Sequence, residues 1–172
     1  MYKVDLDDAK RLLVSLEISE KELSECVRKS ANRAVRPLSM AIAREVSKDI
    51  QVELKYIRER IKTIFASKKD PSVGISVITR SFPAEYSLSR HQSGGKWVVS
   101  GRTHERSFEA KDKKILFKRR GKARLPIDRV TVDFPKDSEL ELVVKAHIRG
   151  FWDRFSKQLL YELKKAGGMF DD

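Results

Sequence analysis

Cysteine and histidine are scarce in this sequence of 172 residues. Cys26 is the only cysteine, so the chain cannot form an internal disulfide. It lies within an apolar helical pattern, which predicts a buried small side chain, not a catalytic thiol. The three histidines, His91, His104 and His147, are far apart in the chain, and no two have the i, i+4 spacing of a helical metal site. We therefore predict no metal site.

Long apolar runs are also missing, because none approaches the roughly 20 residues that a membrane-spanning helix needs. The segment Met1–Leu6 carries an acidic residue, Asp5, where a signal peptide would have its basic region. We therefore expect a protein that is made and folded in the cytoplasm and has no membrane partner.

Sequence signals for catalysis are weak as well. The nearest candidate for a phosphate-binding loop, Gly94-Gly95-Lys96, lacks both the required spacing and a following hydroxyl residue. No serine lies in a nucleophile-elbow pattern. The sequence therefore predicts no catalytic residues, no bound cofactor and no enzymatic activity.

Positive charge is abundant. The charged fraction is 36%, the formal net charge is +12 and the isoelectric point is about 9.9. Between residues 80 and 129, fourteen Lys and Arg residues face only five Asp and Glu residues. This density is typical of a surface that meets nucleic acid or an acidic protein, although a solvated basic surface is the simpler alternative. The candidate DNA-facing or partner-facing residues are Arg80, Arg90, Lys96, Arg102 and Arg106.

Aromatic residues are interleaved with these basic residues, and core packing is favoured for them over base stacking. They match no RNA-recognition, zinc-finger or K-homology pattern. They are Phe82, Tyr86, Trp97, Phe108 and Phe117.

The first part of the chain, residues 1–68, is predicted to be helical, beginning with a short helix over residues 7–16. Ser19 and Glu22 form a capping box before a long helix with one apolar face. Pro37 should kink or interrupt that helix. A break near Asp49, a possible N-cap, should precede a second helix whose apolar residues run from Leu54 to Phe65.

The middle, residues 72–134, alternates as strands do. A basic, flexible loop or arm is predicted at about 89–106, with Gly94-Gly95 at its tip. The predicted strands are Val73–Thr79, Tyr86–Ser89, Trp97–Ser100, Ile115–Arg119 and Arg129–Val132.

The end of the chain, residues 137–167, is predicted to be one long helix. Ser138 and Glu141 form its capping box, and Gly167 and Gly168 end it. The order of helices, then strands, then one helix predicts an α+β fold with a central antiparallel sheet, in a single domain over residues 1–172.

Four stretches, in order, carry a family resemblance. They are a run from Ser30-Ala31-Asn32-Arg33-Ala34 through Ala43-Arg44-Glu45-Val46-Ser47, then Tyr56-Ile57-Arg58-Glu59-Arg60-Ile61, Arg106-Ser107-Phe108-Glu109-Ala110 and Phe117–Ile127. Between Ser30 and Val132 the chain resembles the phage minor tail protein Z family. The signature is the last stretch, with Gly121, Lys122, Arg124, Leu125, Pro126 and Ile127.

The resemblance implies a structural virion protein of the tail or neck that acts in tail completion at the head–tail junction. It also implies a ring oligomer, with a hexamer as the favoured stoichiometry, around the channel that DNA crosses. Other tail or connector proteins, and the DNA itself, would be partners. The alternatives are a free-standing basic nucleic-acid-binding protein, such as a regulator or packaging factor, and a nuclease or other phosphate-handling enzyme.

Overall fold

The computed structural model describes residues 19–110, 114–121 and 124–167, and the predicted short helix at residues 7–16 lies outside them. The described chain contains two long helices, one short helix and ten short strands. The helices are α1 (Glu20–Ile50), α2 (Leu54–Arg60) and α3 (Asp137–Ala166). The prediction of an α+β fold is confirmed.

Helix α1 begins at the predicted capping box. The Glu22 backbone N–H donates to Ser19 Oγ at 3.3 Å, and the Ser19 backbone N–H donates to Glu22 Oε2 at 3.0 Å. The helix continues through Pro37, so of the two predicted effects the interruption is wrong, and a kink stays a prediction. A proline removes only one backbone hydrogen bond, which a helix of 31 residues tolerates.

The predicted break near Asp49 is confirmed at residues 51–53, but Asp49 lies within α1, which ends at Ile50, and is therefore not the N-cap of the next helix. The chain leaves the helix at Gln51, whose φ of 54° is left-handed. The next helix, α2, follows Glu53, whose side chain makes no capping hydrogen bond.

Helix α2 has only seven residues, and the prediction that it extends to Phe65 is wrong. Residues Ile61–Ile64 form strand β1 instead and pair with β2 (Gly74–Val77). The β-branched side chains of this segment, which favour an extended backbone, explain the change.

The predicted central sheet is in fact divided into four small sheets. After β1 and β2, the strands are β3 (Phe82–Pro83), β4 (Arg90–Ser93), β5 (Lys96–Val99), β6 (Arg102–His104), β7 (Ser107–Glu109), β8 (Leu116–Arg119), β9 (Ile127–Arg129) and β10 (Thr131–Val132). Strands β1 and β2 form one sheet, β3 and β10 another, and β4-β5-β6 and β7-β8-β9 are three-stranded and antiparallel.

Two predictions about this middle region are wrong. Tyr86–Ser89 is not a strand, since Ala84–Tyr86 forms a single 3₁₀ turn that closes with a hydrogen bond from the Ser87 N–H to the Ala84 carbonyl. The segment 89–106, predicted to be a basic loop or arm, instead forms the sheet β4-β5-β6. Backbone pairing in this sheet includes polar residues whose composition is typical of a loop. Gly94 and Gly95 do form its first hairpin turn, as predicted, with φ values of 55° and 76°.

Helix α3 begins at Asp137, as predicted, but its cap lies two residues before the predicted one. The Lys136 backbone N–H donates to Glu139 Oε2 at 2.8 Å, so the capping pair is Lys136 and Glu139, not Ser138 and Glu141. At the other end, the Gly167 N–H donates to the Leu163 carbonyl at 2.9 Å. The predicted end of the helix is confirmed at Gly167, while Gly168 lies outside the described residues.

The described chain divides into two compact units. The helical unit contains residues 19–38, 63–74 and 148–167, and the β-rich unit contains residues 39–62 and 75–147 within the described ranges. The β-rich unit buries large side chains such as Phe82, Leu116 and Val130. Whether the two units form the predicted single domain stays a prediction.

Candidate functional site

The predicted site residues lie in the β-rich unit, and Arg90 on β4 is the most enclosed of them. Its guanidinium forms an ion pair with Glu109 and donates from Nη1 to the Lys114 carbonyl at 2.6 Å. The same group lies 4.9 Å from the centre of the Trp97 ring. Arg90 therefore joins two sheets, and its charge is already neutralised within the chain.

Lys96 and Arg102 are also paired with acidic side chains. Lys96 Nζ lies 2.6 Å from Glu105 Oε1, and Arg102 Nη1 lies 2.6 Å from Asp133 Oδ2. The hydrogen bond from Lys96, followed by its charge, holds the pKa of Glu105 below its ordinary value. Exposed pairs of this kind add little stability, but they leave less charge for a partner.

The other two candidates, Arg80 and Arg106, are exposed and form no ion pair among the described residues, although Arg106 is near enough to Glu105 to interact with it electrostatically. Arg80 follows β2, and its carbonyl accepts a hydrogen bond of 2.6 Å from Arg60 Nη1. Arg106 occupies the turn between β6 and β7 with a φ of 53°. The structure therefore does not gather the five candidates into one site.

A different surface emerges on the sheet β7-β8-β9. Phe108 and Phe117 are cross-strand partners whose ring centres lie 6.1 Å apart. Arg119 is two residues beyond Phe117, so its side chain shares their side of the sheet. It lies opposite Ile127 in the register. We call Arg106, Phe108, Phe117, Arg119 and Ile127 the Arg–Phe face.

The Arg–Phe face is open to solvent. Phe108 and Ile127 are 36% and 39% exposed, which is high for large apolar side chains in a sheet. The Arg119 guanidinium lies 5.5 Å from the centre of the Phe108 ring. A shallow groove of about 450 Å³, lined by Arg106, Ser107, Phe108, Arg119 and Gly121, crosses this face.

Of the signature residues that the structure describes, Gly121, Arg124, Leu125 and Pro126 lie between β8 and β9, and Ile127 begins β9. Arg120 makes two hydrogen bonds to Asp128, from Nε to Oδ2 at 2.7 Å and from Nη2 to Oδ1 at 2.9 Å. The hydrogen bond from Arg120 lowers the pKa of Asp128. The Arg120 N–H also donates to the carbonyl of Pro126, which follows a cis peptide bond.

Most of the described residues of this loop are exposed. Arg124 and Pro126 are exposed, and Leu125 is 67% exposed. Gly121 is half-buried, and Lys122 lies outside the described residues. Packing within the chain therefore does not account for the side chains of Arg124 and Leu125.

The cations between residues 80 and 129 fall into three groups. Five are paired with carboxylates: Arg90, Lys96, Arg102, Arg120 and Arg129. Six are exposed and form no ion pair with a carboxylate in the described parts of the chain: Arg80, Arg106, Lys114, Lys118, Arg119 and Arg124. Of these, Arg106 and Lys118 still interact electrostatically with Glu105 and Asp128. Lys111, Lys113 and Lys122 lie outside those parts.

Sequence reasoning missed Arg119 and Phe108 as members of a shared surface. The signal was present, because Arg106 and Phe108, and again Phe117 and Arg119, are two residues apart, as side chains on one face of a strand are. Their pairing across β7 and β8 depends on the hairpin register, which the spacing alone does not specify.

Two further observations limit the chemistry of the described residues. Across residues 19–110, 114–121 and 124–167, no group of three or more His, Cys, Asp or Glu side chains is arranged to hold a metal ion. None of the helices in those ranges combines the length and apolar character needed to cross a membrane.

Comparison with known proteins finds no match: no family model, no curated protein and no solved structure is significantly similar to this chain.

Proposed function

We propose that this chain is a structural virion protein of a phage tail, acting in tail completion at the head–tail junction as a ring subunit around the DNA channel. The observation that carries the proposal is the ordered resemblance between Ser30 and Val132, above all the Gly121–Ile127 stretch. That stretch is exposed at Arg124 and Leu125, as expected of residues that contact another molecule.

The distribution of charge supports an assembly role. The unpaired cations cluster around β7, β8 and the following loop, where exposed apolar side chains accompany them. Arg and Phe together are typical of protein interfaces. The remaining cations would contribute to the positive potential that a subunit beside DNA needs.

The experiment is deletion of the gene from the phage or prophage that encodes the chain. We expect particles that fail to infect because their tails are not completed, and infectivity should return when the gene is supplied in trans. Normal virions after deletion would overturn the proposal.

A matched pair of triple variants tests the role of the charge. Replacing the unpaired Arg106, Arg119 and Arg124 with Gln should lower infectivity in the complementation assay. Replacing Lys96, Arg102 and Arg120 with Gln removes the same formal charge from paired residues and should have a smaller effect. Equal effects would indicate that only the total charge matters.

A free-standing nucleic-acid-binding protein is the second candidate, favoured by the exposed Phe108 ring beside the Arg119 guanidinium. The two functions differ in solution. A nucleic-acid-binding protein should bind free duplex or single-stranded DNA with an affinity that falls steeply with salt. A tail subunit should instead assemble with itself and with tail or connector proteins.

A further inference from the structure

The Arg–Phe face and the adjoining loop expose two kinds of side chain, cationic and apolar. Arg106, Arg119 and Arg124 are exposed cations that form no ion pair among the described residues, so they favour an anionic occupant. Leu125, Phe108 and Ile127 are exposed apolar side chains that favour an apolar occupant. The phosphate backbone of DNA would pair with the cations only, because phosphate makes no favourable contact with the aliphatic side chains of Leu125 and Ile127. An acidic protein surface with an exposed apolar residue would contact both the cations and the apolar side chains.

The same chain carries such a surface at the start of α3. Asp137, Glu139 and Glu141 are exposed there, and Lys136 is the only cation in the first six residues from 136. Leu142 follows them and is 67% exposed, as much as Leu125. We call Asp137, Glu139, Glu141 and Leu142 the acidic helix start.

We propose that the Arg–Phe face and its loop bind the acidic helix start of a second copy of this chain. The two surfaces are opposite in charge, and each has a leucine that is 67% exposed. Two different surfaces that bind each other make a head-to-tail contact, which closes into a ring if the rotation between copies allows it. This inference rests on the proposed ring function and names the contact that would build it.

Other acidic helical segments fit less well. The start of α1 carries Glu20, Glu22 and Glu25, but Glu22 is used by the capping box and Glu25 is paired with Arg28 and Lys29. Its apolar neighbour Leu23 is half-buried in the helical unit. The start of α3 is similar in its acidic residues, because Glu139 caps the helix and Glu141 is paired with Lys145 at 2.8 Å. What distinguishes it is Leu142, which is 67% exposed.

A charge-reversal experiment tests the contact. One variant carries Arg106→Glu and Arg119→Glu, and the other carries Asp137→Lys and Glu141→Lys. We expect the wild-type chain to form an oligomer, measured by sedimentation velocity at near-physiological salt. Each variant alone should be shifted toward monomer, with a dissociation constant raised at least about tenfold because like charges then face each other.

Mixing the two variants in equal amounts provides the sharpest readout. Each variant keeps one native surface, and the two reversed surfaces complement each other, so every contact between unlike copies pairs opposite charges. The mixture should therefore regain the oligomer that neither variant forms alone. Arg154→Glu with Lys157→Glu, two exposed cations on α3 in the helical unit, is the matched control and should assemble like the wild type.

The outcomes separate this inference from the proposed function. If the wild type assembles and the reversals have no effect, another contact builds the oligomer, and the tail role is untouched. If the variant with Arg106→Glu and Arg119→Glu no longer binds duplex DNA but still forms the oligomer, the Arg–Phe face binds DNA and the inference is wrong. A wild type that stays monomeric at every concentration tested also overturns the inference, whereas the tail role is judged by the deletion experiment.

Discussion

The helical unit and the β-rich unit bury different kinds of side chain. In the helical unit, half of the buried positions hold small residues, among them Ala31, Ala34 and Ala66, together with the polar Ser30 and Glu162. In the β-rich unit, the buried positions are mostly large and apolar, as at Phe82, Leu116 and Val130. The two units should therefore lose stability for different reasons when their buried residues are replaced.

In the helical unit, specific polar contacts join segments that small side chains alone would hold weakly. Asn32 on α1 receives a hydrogen bond of 2.7 Å from the Ala66 N–H and donates one of 3.0 Å to the Ala66 carbonyl. Arg33 pairs with the buried Glu162 on α3. Both Asn32 and Arg33 belong to the first stretch that carries the family resemblance, and their contacts are structural.

The largest expected effect is the loss of a large core side chain from the β-rich unit. Phe82 is 1% exposed and contacts the Phe134 ring, with ring centres 5.8 Å apart. Phe82→Ala should lower the free energy of unfolding by about 3–4 kcal/mol, because the cavity cannot close. Urea denaturation measures this change.

The matched variant in the helical unit is Leu163→Ala, in the small cluster with Cys26. This variant should lower the free energy of unfolding by about 2–3 kcal/mol, since its half-buried neighbours can move into the space. A larger decrease in the free energy of unfolding for Leu163→Ala than for Phe82→Ala would contradict this difference between the units.

A smaller effect is expected from the polar contact in the helical unit. Asn32→Ala leaves the buried Ala66 N–H and carbonyl without partners, which should cost about 2 kcal/mol. Hydrogen exchange at the Ala66 amide should become faster, which reports the local loss directly. Asn32→Asp keeps the acceptor but not the donor, so its cost should be intermediate. If Ala66 exchange is unchanged in Asn32→Ala, the contact contributes nothing.

The smallest effect concerns pH and belongs to the β-rich unit. Burial, followed by the charges of Lys118 and Arg102, lowers the pKa of His104. Below a pH of about 6.5 the unfolded chain binds a proton at this residue that the folded chain does not, so stability falls as the pH falls toward the folded pKa. Above that pH the effect is absent.

His104→Gln should therefore weaken the loss of stability between about pH 7 and pH 5.5, measured as the shift in urea midpoint. His91→Gln, at an exposed position of β4, is the control. An unchanged pH dependence in His104→Gln would show that other groups cause it.

Local patterns in the sequence predicted part of this structure well. The Ser19–Glu22 capping box closes within four residues, and the Gly94-Gly95 turn needs only its own left-handed backbone. Helix periodicity likewise located α1 and α3. Where local signals competed, prediction failed: Ile61–Ile64 continued an apolar helical pattern, and only its pairing with β2 made it a strand.

The excess of positive charge was determined by the sequence alone, but its distribution was not. Arg90 meets Glu109, Arg102 meets Asp133 and Arg129 meets Glu85, across 19, 31 and 44 residues of chain. Such pairs form only when folding brings distant segments together, so composition cannot reveal which cations remain unpaired. The tertiary structure therefore decided that Arg119, and not Arg90, belongs to the exposed surface.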